Sequence, residues 1–392
     1  MNQGDHKYSI VLGQRMSWPE LLSRAIETET LGFDSLFLVD HFYGLKDLDD
    51  PTHEAYTMLA ALAPFTQRIR LGVMVCGNTY RNPAFLLKQA MTVDHVSGGR
   101  VDFGVGAGWV EREHEAYGWD FPSARERVDR FAEALEIWRL LQTEDRTTYQ
   151  GTYYQLLEAP FQPKSQQPGG LPVLIGGTGS RMLRLTARYA SIWNVVGTPD
   201  EAAAVNARMD EACVAEGRDP STLVRSCSPS INLLTSGQAF EEGIAAYHAA
   251  GIRDIYMPWP RTEAEVPVLR EIARNVLPRL RGSNTVNPGI IIGRVAVTDD
   301  DLPRIVDLLS DLAPLSRKVL QHLIDHADER IDGAGIQAAL GVERHSEVTL
   351  SFADLGGRFT GAGFNRPWNE AQRGYLVECA TAELLGRALQ QV

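Results

Sequence analysis

The 392-residue chain carries 38 Lys and Arg against 50 Asp and Glu, a net charge of −12, with 44% hydrophobic and 22% charged residues. That is the composition of a globular protein with a large core and, at about 150 residues per domain, two to three domains. The acidic balance argues against nucleic acid as a partner, because phosphate is held mainly by basic side chains. No apolar run approaches the roughly 18 residues of a membrane span, so no membrane association is expected. The polar start, Met1 to His6, lacks the basic and apolar regions of a secretory leader. Cys76, Cys213, Cys227 and Cys379 are scattered, with no C-x-x-C, so neither a disulfide framework nor a zinc ribbon is expected. The expected compartment is the cytoplasm.

In chain order, short apolar runs alternate with amphipathic stretches. The runs are Tyr8–Gly13, Ser35–Val39, Arg70–Val75, Val101–Gly106, Pro172–Gly176, Ile192–Val196, Ser226–Leu234 and Asp254–Met257. Such near-continuous apolarity suits parallel strands covered on both faces. Between them, Asn82-Pro83 supplies an N-cap and a first helical position for a helix ending at Gly98-Gly99. Val128, Phe131, Leu135, Trp138 and Leu141 step by three and four and form one buried helical stripe, as do Ala55, Met58, Leu59 and Leu62. Eight strand–helix units in about 275 residues predict an α/β fold of the (β/α)8 TIM-barrel type over 1–282, with a doubly wound open sheet as the alternative. Thr147 to Gly170 reads as an insertion with strand character in its first half.

After Gly282 the pattern changes. SNTVNPG is a turn-rich linker, and residues 283–392 hold 10 basic and 15 acidic residues. A helix over Leu315–His326, a short helix over Gly335–Leu340 and alternating Val348, Leu350 and Phe352 predict a small α+β, winged-helix-like accessory domain. Its acidity makes it a packing or docking module rather than a DNA reader.

A barrel of this type builds its site at the carboxyl ends of its strands. The second strand ends in Asp40-His41-Phe42-Tyr43, where His41 offers a proton shuttle near neutral pH. Asp40 and His41 are adjacent on extended chain and point apart, so any help between them is indirect. The acidic run from Asp47 to Glu54 matches no metal cage and reads as a solvated loop; no metal site is expected. At the third strand, Cys76 reads as a buried thiol and Gly77 as room for close backbone approach. The fourth runs into Gly104-Val105-Gly106-Ala107-Gly108-Trp109, where glycines clear space for a ring and Glu113 and His114 can hydrogen-bond to it. Trp109 stands where a dinucleotide fingerprint has its third glycine. The fifth ends in Gly176-Gly177-Thr178-Gly179 before a helix, either a phosphate cradle or a tight turn. The sixth ends in Trp193-Asn194. Together these residues want an aromatic ring with a phosphate tail beside a histidine, which is the description of a flavin or a relative.

LGFDSLFLVDH (31–41), RIRLGVMVCGNTYRNP (68–83), SGGRVDFGVGAGWVEREHEAYG (97–118) and LIGGTGSRMLRLTARYASIWN (174–194) resemble the luciferase-like monooxygenase superfamily. Within it they resemble the branch of deazaflavin (coenzyme F420)-dependent oxidoreductases. The resemblance spans about residues 8–282 and implies a (β/α)8 barrel with insertions. It implies His41 as the catalytic proton donor or base. It places Asp40, Val75, Cys76, Gly77, Gly106, Ala107, Gly108, Glu113, Gly176, Gly177, Thr178 and Gly179 around the cofactor, with a bulge at 75–77 that often carries a non-proline cis peptide. Tyr43, Trp109 and Trp193 are the candidate substrate contacts. The implied cofactor is F420, with FMN and an oxygen-activating monooxygenase as the alternative; a ligand-sensing regulatory protein is a more distant one. A small organic substrate, a separate reductase that supplies reduced cofactor and a homodimer are the expected partners. Two departures stand out: Ser191 replaces a common Asp, and Trp109 replaces an acidic residue of sugar-phosphate dehydrogenases, which argues against a sugar-phosphate substrate.

Overall fold

The computed structural model describes residues 6–45 and 47–281, and beyond them 302–327, 329, 331–343, 347–348, 351–352, 355, 369–371, 374–377 and 379–391. The chain divides into two compact units, Met1–Ile290 and Ile291–Val392. The linker read at 283–289 lies outside the described residues.

In the first unit, β1 (Lys7–Val11), β2 (Ser35–Leu38) and β3 (Arg70–Val73) come first, and a two-residue β4 (Cys76–Gly77) follows. Next are β5 (Val101–Gly106), an antiparallel excursion of β6 (Arg146–Gln150) and β7 (Gln155–Pro160), then β8 (Val173–Gly176), β9 (Ile192–Gly197), β10 (Val224–Pro229) and β11 (Asp254–Pro258). Parallel pairing of β3 with β5 and of β11 with β1 closes eight strands into a ring. The expected barrel is therefore present. The third strand is shorter than its apolar run because it breaks after Val73 and resumes at Cys76 on the edge of β5. The seventh ends at Pro229, not Leu234: Ser230–Leu234 leave the sheet.

Alternation along the strands sorts side chains between two cores. One parity, including Ile10, Leu36, Leu71, Phe103, Ile175, Trp193 and Ile255, packs with the surrounding helices. The other places Phe37, Leu174, Ile192 and Tyr256 together in a small separate cluster with Met74 and Val75. Space there is made by glycine. A Cβ on Gly72 would fall 2.5 Å from the Phe37 ring, and one on Gly104 would fall 1.8 Å from the Val73 carbonyl oxygen. Gly104→Ala must push β3 from β5, directly beneath the break in the third strand. It should cost about 1–3 kcal/mol, read as a lower urea midpoint at unchanged slope. A midpoint equal to that of the parent would mean that the two strands part freely.

Helices α1 (Trp18–Thr30), α2 (Ala55–Leu62), α3 (Pro83–Ser97), α4 (Glu111–Tyr117), α5 (Ala124–Thr143), α6 (Ser180–Tyr189), α7 (Pro199–Ala215) and α8 (Gly237–Ala249) surround the strands. Asn82 caps α3 through Ala84 and Phe85 N–H, and Gly98 ends it in the left-handed region. α5 buries Phe131, Leu135, Trp138 and Leu141 as its spacing requires. Among the described residues no helix is long and apolar enough to cross a membrane.

The second unit has its own core, in which Ile305, Leu309, Val319, Leu323, Ile336 and Leu385 meet. The helices at Pro314–Asp325 and Gly333–Leu340 follow the expectation. The strand expected at Val348–Phe352 does not: 347–348, 351–352 and 355 are helical, and Leu350 lies outside the described residues. Val348, Phe352 and Leu355 are buried, a spacing of four and three that belongs to a helix. The two-residue alternation was coincidental. A strand pair does occur further on, Asn369–Ala371 with Gly374–Leu376, before a final helix Cys379–Leu389. These elements do not establish a winged helix.

Candidate active site

A cavity of about 500 Å³ opens at the carboxyl ends of the barrel strands. Its volume is that of a small-molecule or cofactor site. It is walled by Asp40 and His41 after β2, by Met74 to Gly77 and Tyr80 after β3, and by Gly106 to Val110, Glu113 and His114 after β5. Gly176 to Thr178 and Met182 close one side, and Asn194, Val195, Val196 and Ser228 another.

His41 and Asp40 diverge as extended neighbours must. His41 Nδ1 lies 3.1 Å from Glu113 Oε2, and the Phe42 N–H donates to Glu113 Oε1 at 2.8 Å. Glu113 sits in the first turn of α4, and its side chain is 2% exposed. Its carboxylate thus grips the histidine ring and the backbone behind it. With Nδ1 turned to Glu113, Nε2 has no hydrogen-bond partner among the described residues and is the nitrogen left for a ligand. The residue that orients His41 is Glu113, not the adjacent Asp40. Glu113, expected on the ring, is in the lining of the cavity and also holds His41.

Asp40 has a different occupation. Arg81 donates to its two oxygens at 2.7 and 2.7 Å, Tyr80 Oη donates at 2.5 Å and the Gly77 N–H at 2.9 Å. Its carboxylate is spent on tying the end of β2 to the segment after β3. Burial opposes the charge on Arg81, but its bonds to Asp40 outweigh that and raise its pKa. Burial, then the Asp40 charge, pushes the Tyr80 phenol upward. The Cys76 thiol is driven well above its usual value by burial and then by the same carboxylate, so it is an inert wall atom.

Across from these, the peptide between Met74 and Val75 is cis, at the bulge that the resemblance implies. A Cβ on Gly106 would come within 2.9 Å of Val75 Cγ2, so Val75 packs directly on Gly106, and the two form with Ala107 and Gly176 one wall of a slot in the cavity. The loop beyond is pinned. Gly108 has φ +82°, and a Cβ there would meet Thr79 Oγ1 at 2.7 Å. His114 bonds the Thr79 hydroxyl at 2.6 Å and the Val110 carbonyl at 2.7 Å.

The glycine turn before α6 fits an anion. The Gly177 and Thr178 carbonyls are tied back, to Trp193 Nε1 at 2.9 Å and Arg208 at 3.1 Å. In trans peptides the N–H groups of Thr178 and Gly179 then point the other way. Gly179 is the N-cap of α6 and brings no side-chain cap, so the first turn keeps its free donors. The slot and this turn together fit a ring system with a phosphate tail.

Gly179 adjoins the cavity wall beside Thr178, as the N-cap of α6, and can offer only its backbone. Two expected contacts do not reach the cavity. Trp193 is buried in the helix-facing layer because its parity on β9 points outward, and it supports the turn from behind. Tyr43 stacks on Tyr117 at 6.3 Å, away from the lining. Asn194, the inward neighbour of Trp193, is on the wall and donates to Ser226 Oγ at 3.1 Å. Alternation along β9 was the available signal for it. Tyr80 and Arg81 had none beyond their place inside the third-strand motif, and His114, read beside Glu113 as a possible contact of the ring, bonds Thr79 instead. Among the described residues no cluster of three His, Cys, Asp or Glu is arranged for a metal. Asp50 in the acidic loop instead pairs with Arg15.

The family model described as luciferase-like monooxygenase matches residues 2–252. The F420-dependent glucose-6-phosphate dehydrogenase of Intrasporangium calvum is 34% identical over 174 residues, 44% of this chain and 50% of that protein. The protein of the same name from Amycolatopsis mediterranei is 32% identical over 172 residues, with 44% and 50% covered. The chain spans about half the length of the curated relatives it matches. Among solved structures, an F420-dependent secondary alcohol dehydrogenase superposes with a TM-score of 0.61 at 19% identity, covering 74% of this chain and 99% of its own. The F420-dependent tetrahydromethanopterin reductase of Methanopyrus kandleri gives 0.61 at 16%, covering 70% and 99%. A monooxygenase from Streptomyces bottropensis gives 0.56 at 18%, covering 70% and 99%. At these identities the structures share the fold. With its closed barrel, its bulge after β3 and a family match across most of the first unit, the chain belongs to the luciferase-like monooxygenase family.

Proposed function

We propose that the protein is a deazaflavin-dependent oxidoreductase that moves a hydride between coenzyme F420 and a small organic substrate. The observation that carries this reading is the slot walled by Val75, Gly106 and Gly176, which ends on the glycine turn before α6 and has His41, held by Glu113, on its rim. The names of the sequence relatives support F420 over FMN. When bound, the deazaflavin supplies the hydride acceptor or donor; the chain supplies everything else. Val75, Gly106, Ala107 and Gly176 take the ring, and the donors of Thr178, Gly179 and the first turn of α6 take the phosphate. His41 Nε2 gives or removes the substrate proton while Glu113 fixes the ring and balances the charge that develops on it.

Titration of the purified protein with oxidised F420 and, separately, with FMN tests the assignment by fluorescence. Saturable binding of F420 with little affinity for FMN is the expected result. Preference for FMN would overturn it in favour of a monooxygenase, which uptake of labelled oxygen into product would identify.

A further inference from the structure

Trp109 is 70% exposed although it lines the cavity. The backbone on either side of it is pinned: Gly108 against Thr79, and the Val110 carbonyl by its bond to His114, itself buried. The indole presents a bare apolar face, with its ring centroid 5.9 Å from that of His41 and the planes at 87°. A large aromatic left unburied beside a proton-transfer group is a surface on which a flat ligand can stack.

The other walls describe the charge of that ligand. None of the described lining residues is Lys or Arg. Arg81, behind the wall, is committed to Asp40 and Glu54. The carboxylates present are already partnered, Asp40 with Arg81 and Glu113 with His41, and further polar groups such as the Asn194 amide and the Ser228 and Thr178 hydroxyls carry no charge. A sugar phosphate finds no counter-charge here.

We propose that Trp109 selects the substrate, and that the substrate is an uncharged, planar, conjugated ketone or the corresponding secondary alcohol. This rests on the F420 reading above. The ketone stacks on the indole with its oxygen toward His41 Nε2. In reduction, the carbonyl carbon gains a C–H bond by accepting a hydride from the reduced deazaflavin. The C=O π pair moves to oxygen, and His41 delivers a proton there. The ketone is reduced by two electrons to the alcohol and the deazaflavin is oxidised by two; alcohol oxidation is the reverse.

The test uses acetophenone as the flat ketone, cyclohexyl methyl ketone as the non-planar control and glucose 6-phosphate as the anionic one. Each is titrated calorimetrically into parent, Trp109→Ala and Trp109→Phe loaded with oxidised F420, where a ketone binds without turnover. Steady-state reduction is then measured with reduced F420. The parent should bind acetophenone more tightly than either control. Trp109→Ala should weaken acetophenone by about 2- to 12-fold, the worth of one aromatic pair. The loss should appear in KM, Trp109→Phe should restore most of it, and F420 affinity should be unaltered. Tighter binding of glucose 6-phosphate, or an acetophenone affinity indifferent to Trp109→Ala, overturns the proposal while F420 binding leaves the broader reading standing. Failure of the parent to bind F420 sinks both.

Discussion

Replacing His41 by alanine should lower kcat by about 10²–10⁴-fold, the usual worth of a positioned general acid or base, and leave F420 affinity close to that of the parent. The two effects separate because the histidine stands on the rim of the slot, while the ring is held by Val75, Gly106 and Gly176 and the phosphate by the turn at Gly177 to Gly179. The fall corresponds to about 3–5 kcal/mol of lost transition-state stabilisation. Glu113→Gln makes a sharper companion. An amide can still accept from Nδ1 and from the Phe42 N–H, so the ring stays in place, but the charge that balances a proton passing through His41 is gone. Its kcat should fall, though less than that of His41→Ala, with F420 affinity unchanged. Unchanged turnover in His41→Ala would remove His41 from the chemistry. An unchanged kcat in Glu113→Gln would reduce Glu113 to a purely steric support.

How much of this was legible in the chain depends on which physical constraint was local. Parallel strands buried on both faces announce themselves as apolar runs, so the barrel and the order of its motifs could be read from Tyr8 to Met257. Glycine turns are equally local, and the strand-end position of His41 follows from the fold rule alone. What the runs do not carry is the face on which each residue lands. Trp193 and Asn194 exchange roles because one position of parity decides between helix layer and cavity. Val348 and Phe352 fit a strand or a helix equally, until Leu355 completes the helical set. Partnerships across the barrel were invisible for another reason. Glu113 reaches His41 from 72 residues away, and Arg81 reaches Asp40 from 41. Only the pairing of β2 with β3 and of β3 with β5 brings these loops together, and neither spacing has a sequence signature.

The second of those partnerships sets the largest stability effect. Arg81→Ala removes the bidentate fork from a carboxylate whose side chain is 3% exposed. Breaking such a pair from one side leaves a buried charge uncompensated and costs about 3–5 kcal/mol. Arg81→Lys should recover only part of it, because an ammonium cannot make both 2.7 Å bonds at once. Six of the seven tryptophans precede residue 282, so tryptophan fluorescence in urea reports chiefly on the barrel. A functional consequence follows from the same atoms. The Asp40 carboxylate also accepts the Gly77 N–H, and with Arg81 gone it has reason to turn toward water and release that bond. The segment from Met74 to Gly77 would then lose its anchor, and F420 affinity should fall with stability, unlike the response to His41→Ala. Asp40→Asn gives the discriminating contrast: it keeps an acceptor for Gly77 but leaves the buried Arg81 with Glu54 alone as counter-charge, so stability should fall more than cofactor affinity. If Arg81→Ala instead unfolds within about 1 kcal/mol of the parent, the carboxylate has found water, and the clamp that ties β2 to the cofactor wall is not what holds the slot open.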